Sequence, residues 1–177
     1  PIHLDPVDLS REGALAAVRP DESGLFTTAS YPPGRYRVFV GIPNARWRVK
    51  SVQLDGVDVH NSFVNVGGRD IRDAVVTFTD VEYRASGSVQ GDRFEDVRHA
   101  RVLAFPADFE TWISQGMNPH AAHTTNCNSQ GTYSFRNMRA GDSLLVAFSA
   151  GDRVDIEDPD FIREAARRAI RFRVGPG

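Results

Sequence analysis

Two histidines and the single cysteine of the sequence lie close together and carry the side chains that bind transition metals. His120 and His123 are three residues apart, and Cys127 follows in the same polar stretch. Structural zinc sites use four such ligands, usually as two closely spaced pairs. Three candidates fall short of that number. We therefore interpret the stretch as a polar surface loop and predict neither a bound metal nor a cofactor.

A second group with metal-binding chemistry is an acidic stretch between residues 152 and 160. Asp155 and Asp158 are its weak candidates for calcium, whose ligands are carboxylate and carbonyl oxygens. The spacing of an EF-hand loop is missing. Asp158 followed by Pro159 is instead typical of a helix start, and the helix dipole favours acidic residues in the first turn. The acidic stretch therefore predicts a helix start rather than a calcium site.

Catalytic motifs are missing from the sequence. It contains no zinc-protease motif, nucleophile elbow, phosphate-binding loop or dinucleotide fingerprint. Ser, His and Asp residues occur, but no spacing brings them together. We therefore predict that the chain is not an enzyme.

Trp112 is the candidate ligand-binding residue, as an exposed aromatic ring that could contact a glycan. It lies in an irregular segment, whereas Trp47 lies on an alternating strand and is expected in the core.

Composition excludes several further classes of protein. A net charge of -2 and a pI near 6.2 provide no basic surface, so we predict no nucleic-acid partner. One cysteine excludes an internal disulfide. No apolar run approaches the roughly 18 residues of a membrane span, and no signal peptide is recognisable. The opening residues read like the interior of a domain, so we interpret the chain as a piece of something longer.

Short alternating or apolar runs separated by turn residues predict an all-β fold of the sandwich type. The predicted strands are 34–40, 46–54, 74–79, 101–105 and 143–148. A slip in the alternation near Ser51 predicts a β-bulge. Two short helices are expected, one after Asp158-Pro159 and one over about 108–115.

An internal repeat organises these runs into two domains. Gly24 lies ten residues before Gly34, and Gly131 lies ten residues before Gly141, so the copies are 107 residues apart. A polar turn precedes the first glycine of each copy, an aromatic residue follows it, and a strand follows the second glycine. An offset of that size is too long for a solenoid. It predicts two domains in tandem, over 1–81 and 82–177.

The first copy carries Pro32-Pro33-Gly34-Arg35-Tyr36 after the polar turn and its Gly-x-aromatic motif. This pattern resembles the carboxypeptidase-regulatory-like domain, a transthyretin-like (prealbumin-like) β-sandwich of seven strands that is frequent in exported bacterial proteins. Segments 50–59, 105–112 and 158–161 are also similar to such proteins. The resemblance implies two Ig-like/transthyretin-like antiparallel sandwiches with one or two short helices in the second. The second copy departs from the motif, since Arg139-Ala140 replaces the two prolines.

Measured against that family, the first copy lacks its opening strand and the second lacks its last strand. An incomplete sandwich exposes unpaired backbone groups, and a strand from a neighbour would pair with them by β-augmentation. We therefore predict a non-enzymatic structural or interaction module of a bacterial extracellular, cell-surface or periplasmic assembly. Its partner would be another protein or further copies that form a filament by strand donation. The alternatives are a module that binds carbohydrate or cell-wall polymer, and an accessory domain of a larger exported enzyme or receptor.

Overall fold

The computed structural model describes residues 1–7, 17–44, 46–91 and 97–175. Strands make up 41% of the described residues and helices 12%, and the sheets are antiparallel, which confirms a mainly β fold. None of the described helices is both long and apolar enough to cross a membrane. Contacts between Cα atoms divide the chain into two compact units, called unit 1 (Pro1–Val81) and unit 2 (Glu82–Gly177).

Unit 1 contains two three-stranded sheets among its described residues. The first has the order β1-β2-β5, formed by Ile2–Pro6, Gly34–Val40 and Val64–Val66. The second has the order β4-β3-β6, formed by Val57–Asp58, Arg48–Leu54 and Val75–Thr79. The β3–β6 register shifts between Val49 and Ser51, which confirms the predicted bulge.

Unit 2 contains a two-stranded sheet and a four-stranded sheet. Strands β7 (Tyr83–Ser88) and β10 (Thr132–Met138) form the first. The second has the order β12-β11-β8-β9, formed by Ile170–Val174, Gly141–Phe148, Arg101–Pro106 and His123–Asn126. Helices α1 (Phe109–Ser114) and α2 (Pro159–Arg168) and a 3-10 turn (Pro119–Ala121) complete the described elements.

Both predicted helices are confirmed, and each begins at an aspartate. The Asp108 side chain accepts the amide of Thr111 at the start of α1. The Asp158 side chain accepts the amide of Asp160 at 2.9 Å, and Pro159 occupies the first turn of α2. These caps satisfy amides that have no partner inside the helix.

The central strand β8 explains the layered core of unit 2. Val102 and Ala104 point to one face of the sheet and pack in a cluster with Phe135 of β10. Leu103 and Phe105 point to the other face and pack in a cluster with residues of both helices. Successive residues of a strand point to opposite faces, so an uninterrupted apolar run fits a strand that is covered on both sides.

The first sheet of unit 1 and the larger sheet of unit 2 have matching hydrogen-bond registers. Strand β2 lies between β1 and β5, and β11 lies between β8 and β12. Every residue pair of the first sheet has a counterpart at the same position relative to Gly34 or Gly141. The end pairs of the first sheet and their counterparts are Ile2↔Val40 with Val102↔Ala147, and Gly34↔Val66 with Gly141↔Val174.

The match extends beyond the strand ends. The amide of Val7 donates to the carbonyl of Arg35 at 3.0 Å, and the amide of Ala107 donates to that of Asp142 at 3.1 Å. A bridge between Ile2 and Val18 lies where β9 pairs with β8. One sheet frame therefore occurs in both units.

Candidate functional site

The turn that precedes the repeated strand has the same geometry in both units. In unit 1 the Asp21 Oδ1 accepts the amides of Ser23 and Leu25, at 2.9 and 3.0 Å. In unit 2 the Asn128 Oδ1 accepts the two corresponding amides, those of Gln130 and Thr132, at the same distances.

A glycine occupies the left-handed backbone region in each turn, Gly24 at φ 85° and Gly131 at φ 74°. Glycine adopts this region without steric cost. The polar turns predicted from the sequence are therefore confirmed as one structure, built twice with different side chains at the accepting position.

The two units diverge directly after this turn. In unit 2 the next seven residues form β10, which pairs antiparallel with β7. In unit 1 the corresponding residues are 25–31, here called the open segment, and they lie outside any strand. The backbone groups of residues 26–30 make no hydrogen bond to any described residue. Within the open segment, residues 26–30 therefore form a stretch of backbone whose donors and acceptors have no partner among the described residues.

Side-chain burial follows the same difference. Phe135 and Met138 of β10 are buried in the core of unit 2. Their counterparts in the open segment, Thr28 and Tyr31, are only half-buried. Leu25 is 71% exposed at the start of the segment. The open segment thus combines an exposed apolar side chain at Leu25 with backbone at residues 26–30 that has no partner among the described residues.

Both ends of the open segment are nevertheless held in place. The Asp21 turn holds its start, and the hydroxyl donation of Ser23 and the amide donation of Leu25 lower the pKa of the Asp21 carboxyl. At its end, the Tyr31 hydroxyl accepts the amide of Leu4 at 3.2 Å. The Tyr31 ring also meets the buried ring of Tyr36 edge-on, with centroids 5.5 Å apart. Side-chain contacts therefore position both ends of the open segment.

Unit 1 also carries most of the exposed apolar surface. Of the seven large hydrophobic side chains that are exposed in the described chain, six belong to unit 1: Leu25, Phe39, Ile42, Val57, Val75 and Val81. Phe39 is 44% exposed, whereas its counterpart Val146 in unit 2 is 6% exposed. Large exposed apolar side chains are thus concentrated in the described part of unit 1.

Trp112, the predicted glycan platform, is a core residue, and this placement corrects the expectation of an exposed ring. Its side chain is 3% exposed and packs in the cluster between α1, α2 and the four-stranded sheet. Its indole Nε1 donates to the Asn118 carbonyl at 3.0 Å, which satisfies the buried donor. The buried Trp112 ring therefore offers no exposed face on which a sugar could stack.

The three zinc candidates lie on different elements of unit 2. Cys127 is buried in the cluster between the two sheets, and burial raises the pKa of its thiol. His120 lies in the 3-10 turn, and His123 lies half-buried on β9. Burial, followed by repulsion from Arg139, lowers the pKa of His123. Among the described residues, no three His, Cys, Asp or Glu side chains form a group that could hold a metal ion.

The calcium candidates have local structural roles. Asp158 caps α2, as described above. The Asp155 carboxylate accepts the amide of Glu157 at 3.3 Å and pairs with the Arg153 guanidinium at 2.9 Å. Both side chains are therefore engaged in turn and helix-start interactions that the sequence of this region favours.

A cleft of about 190 Å³ lies in unit 1, lined by residues that include Leu54, Phe63 and Ile71. Small-molecule sites usually enclose roughly 300 to 1,000 Å³. The cleft is below that range, so the open segment remains the stronger candidate site.

Comparison of the chain with protein-family models, with curated proteins and with solved structures finds no match. The open segment itself was not among the predicted site residues. A signal for it was present in the repeat, because the offset of 107 residues aligns 25–31 with 132–138. The sequence does not show that residues 132–138 pair with β7.

Proposed function

We propose that this chain is a non-enzymatic interaction module of an exported or cell-surface bacterial assembly. Its two units would be copies of one transthyretin-like sandwich domain of the carboxypeptidase-regulatory-like type. The observation that carries the proposal is the open segment, which corresponds to β10 through the repeat but pairs with no strand among the described residues. A row of backbone donors and acceptors without such partners is a template for pairing with another chain.

The matching registers support duplication of one domain. Two unrelated sandwiches would have no reason to share the position of every residue pair around a central strand. The identical side-chain-to-amide bonds of Asp21 and Asn128 add a second correspondence, in a turn outside the sheet. The shared frame begins at the glycines that the family resemblance also uses, Gly34 and Gly141.

The proposed function favours a protein partner over a glycan. Trp112, the preferred residue of the glycan alternative, has a buried ring. The open segment presents amide and carbonyl groups in a row, and such a row is complemented by the backbone of another strand.

The mass of the chain in solution tests this proposal, measured by size exclusion with light scattering on material from the native source. We expect a mass above the 19.6 kDa of one chain, from a complex or a filament. Serial dilution distinguishes a specific complex from weak association that occurs only at high concentration. A single species of 19.6 kDa in native extracts, or material confined to the cytoplasm after fractionation, would contradict the proposed assembly or its location.

A further inference from the structure

We propose that the open segment accepts one added antiparallel strand from a separate polypeptide, and that this strand has the sequence pattern of β7. The inference deepens the proposed function and rests on it, since it treats the chain as an interaction module. Unit 2 supplies the template, because its equivalent of the open segment is already paired with such a strand.

The β7–β10 pairing identifies the backbone groups involved. Gly87 lies opposite Tyr133, and Ala85 lies opposite Phe135. The amide of Val89 donates to the carbonyl of Gly131 at 2.9 Å, so the amide of Val89 faces β10. Amides along a strand alternate in direction, and those of Gly87 and Ala85 therefore face β10 as well. The amides of Arg84 and Ser86 face away.

Transferred through the repeat, this pattern assigns roles within the open segment. Phe26 corresponds to Tyr133 and Thr28 to Phe135. The amides and carbonyls of Phe26 and Thr28 would face the incoming strand, while those of Thr27 would face away. Neither Phe26 nor Thr28 has a backbone hydrogen bond to a described residue, so neither must first break one.

Side-chain contacts restrict the incoming sequence. A Cβ atom placed on Gly87 would lie 2.6 Å from the Tyr133 hydroxyl oxygen, so the aromatic ring covers the glycine opposite it. Phe26 holds the corresponding position in unit 1. The partner strand should therefore have glycine opposite Phe26 and a small residue opposite Thr28. The open segment contains no charged residue, so recognition depends on backbone pairing and small side chains.

The experiment uses the full chain and a synthetic peptide with the sequence of residues 82–89. Amide hydrogen exchange is followed by NMR with and without saturating peptide. In the free chain, the amides of residues 26–30 should exchange at rates close to those of an unfolded peptide. With peptide, exchange at Phe26 and Thr28 should slow by at least about tenfold, as expected for amides that gain a hydrogen bond, while Thr27 changes little. Unchanged exchange at Phe26 and Thr28 would overturn the inference.

N-methylation of the peptide provides a matched pair. A methyl group on the Gly87 nitrogen removes a donor that faces the acceptor edge and should weaken binding about tenfold. The same group on the Ser86 nitrogen lies on the far edge and should leave the affinity within about twofold. Equal effects of the two methyl groups would show that the peptide does not bind as a strand in this register.

Two variants of the chain report on the acceptor side. Thr28→Pro removes an amide that faces the incoming strand and should abolish peptide binding, whereas Thr27→Pro removes one that faces away and should preserve it. Protection of Phe26 and Thr28 in a monomer of 19.6 kDa without peptide would overturn the inference, because the segment would then already be paired within one chain. If the native material is a complex but the chain binds no peptide, this inference is overturned and the proposed assembly is retained. If the native material is a monomer that binds the peptide, this inference is retained and the proposed self-assembly is contradicted.

Discussion

Unit 1 and unit 2 share a sheet frame but differ in how that frame is covered. Of the twenty apolar residues that are buried in the described chain, sixteen lie in unit 2 and only four in unit 1. Those of unit 1 are Ile2, Tyr36, Val52 and Val64. Burial of apolar area is the main favourable term in folding. The described part of unit 2 therefore buries the larger apolar core.

The difference arises in the layers on either side of the shared sheet. In unit 2, β7 and β10 cover one face and the two helices cover the other. The open segment corresponds to β10 through the repeat but pairs with no strand among the described residues. Leu25 at its start is 71% exposed, which supports unit 1 as the unit that would bind the proposed partner.

The largest expected effect comes from truncating one buried aromatic residue in each unit. Tyr36→Ala and Phe105→Ala each remove a ring that is 1% exposed, at a cost of about 3–5 kcal/mol. We expect Tyr36→Ala to unfold unit 1, since few other buried residues support it. Phe105→Ala should lower the unfolding midpoint of unit 2 and leave it folded in buffer. Two-dimensional NMR of each variant distinguishes the units. Retention of the folded unit 1 signals in Tyr36→Ala would contradict the predicted difference in stability between the two cores.

A smaller effect should come from acidification and should be confined to unit 2. The pKa of His123 is lowered by burial, so the unfolded chain binds a proton at a higher pH than the folded chain. The stabilising contribution is present above the ordinary histidine pKa of 6.5 and is lost as the pH falls below it. Denaturant unfolding of unit 2 between pH 7 and 5 should show this loss, and His123→Gln should reduce it. Identical slopes in the two proteins would remove His123 as the cause.

The smallest expected effect separates the two matched turns by their acid response. The pKa of Asp21 is lowered by donation from Ser23 and Leu25, so its carboxyl should titrate below 3.8. Its contribution to the turn is present above that value and is lost as the pH falls through the lowered pKa. Asn128 does not ionise, so the amides of Gln130 and Thr132 should keep their chemical shifts. An NMR titration from pH 6 to 2 tests this, and a midpoint at or above 3.8 would contradict it.

The elements that could be predicted from sequence are those specified by local chemistry. Asp158-Pro159 marks the start of α2, and the phase slip near Ser51 marks the bulge in β3, because both depend on neighbouring residues. Strands β9 and β10 were not predicted. They are rich in Thr, Asn and Ser, and half of the residues of β9 are exposed, so their apolar periodicity is weak.

The candidate site was less accessible to sequence reasoning. Trp112 was predicted at the surface because its segment shows no strand alternation. Its burial depends on Ile162 and Phe105, which lie in distant elements and pack in the same cluster. The repeat aligns the open segment with β10, but only β10 has β7 beside it.

The sequence by itself determined the turns, the helix starts, the mainly β class and the position of the repeat, because these follow from residue types and spacing over a few positions. Only the tertiary structure decided which of two equivalent segments became a paired strand and which aromatic residues became core. Hydrogen bonds between strands and packing between layers join residues far apart in the chain, so local patterns do not contain them. The same turn thus leads to a paired strand in unit 2 and, in unit 1, to a segment that pairs with no strand among the described residues.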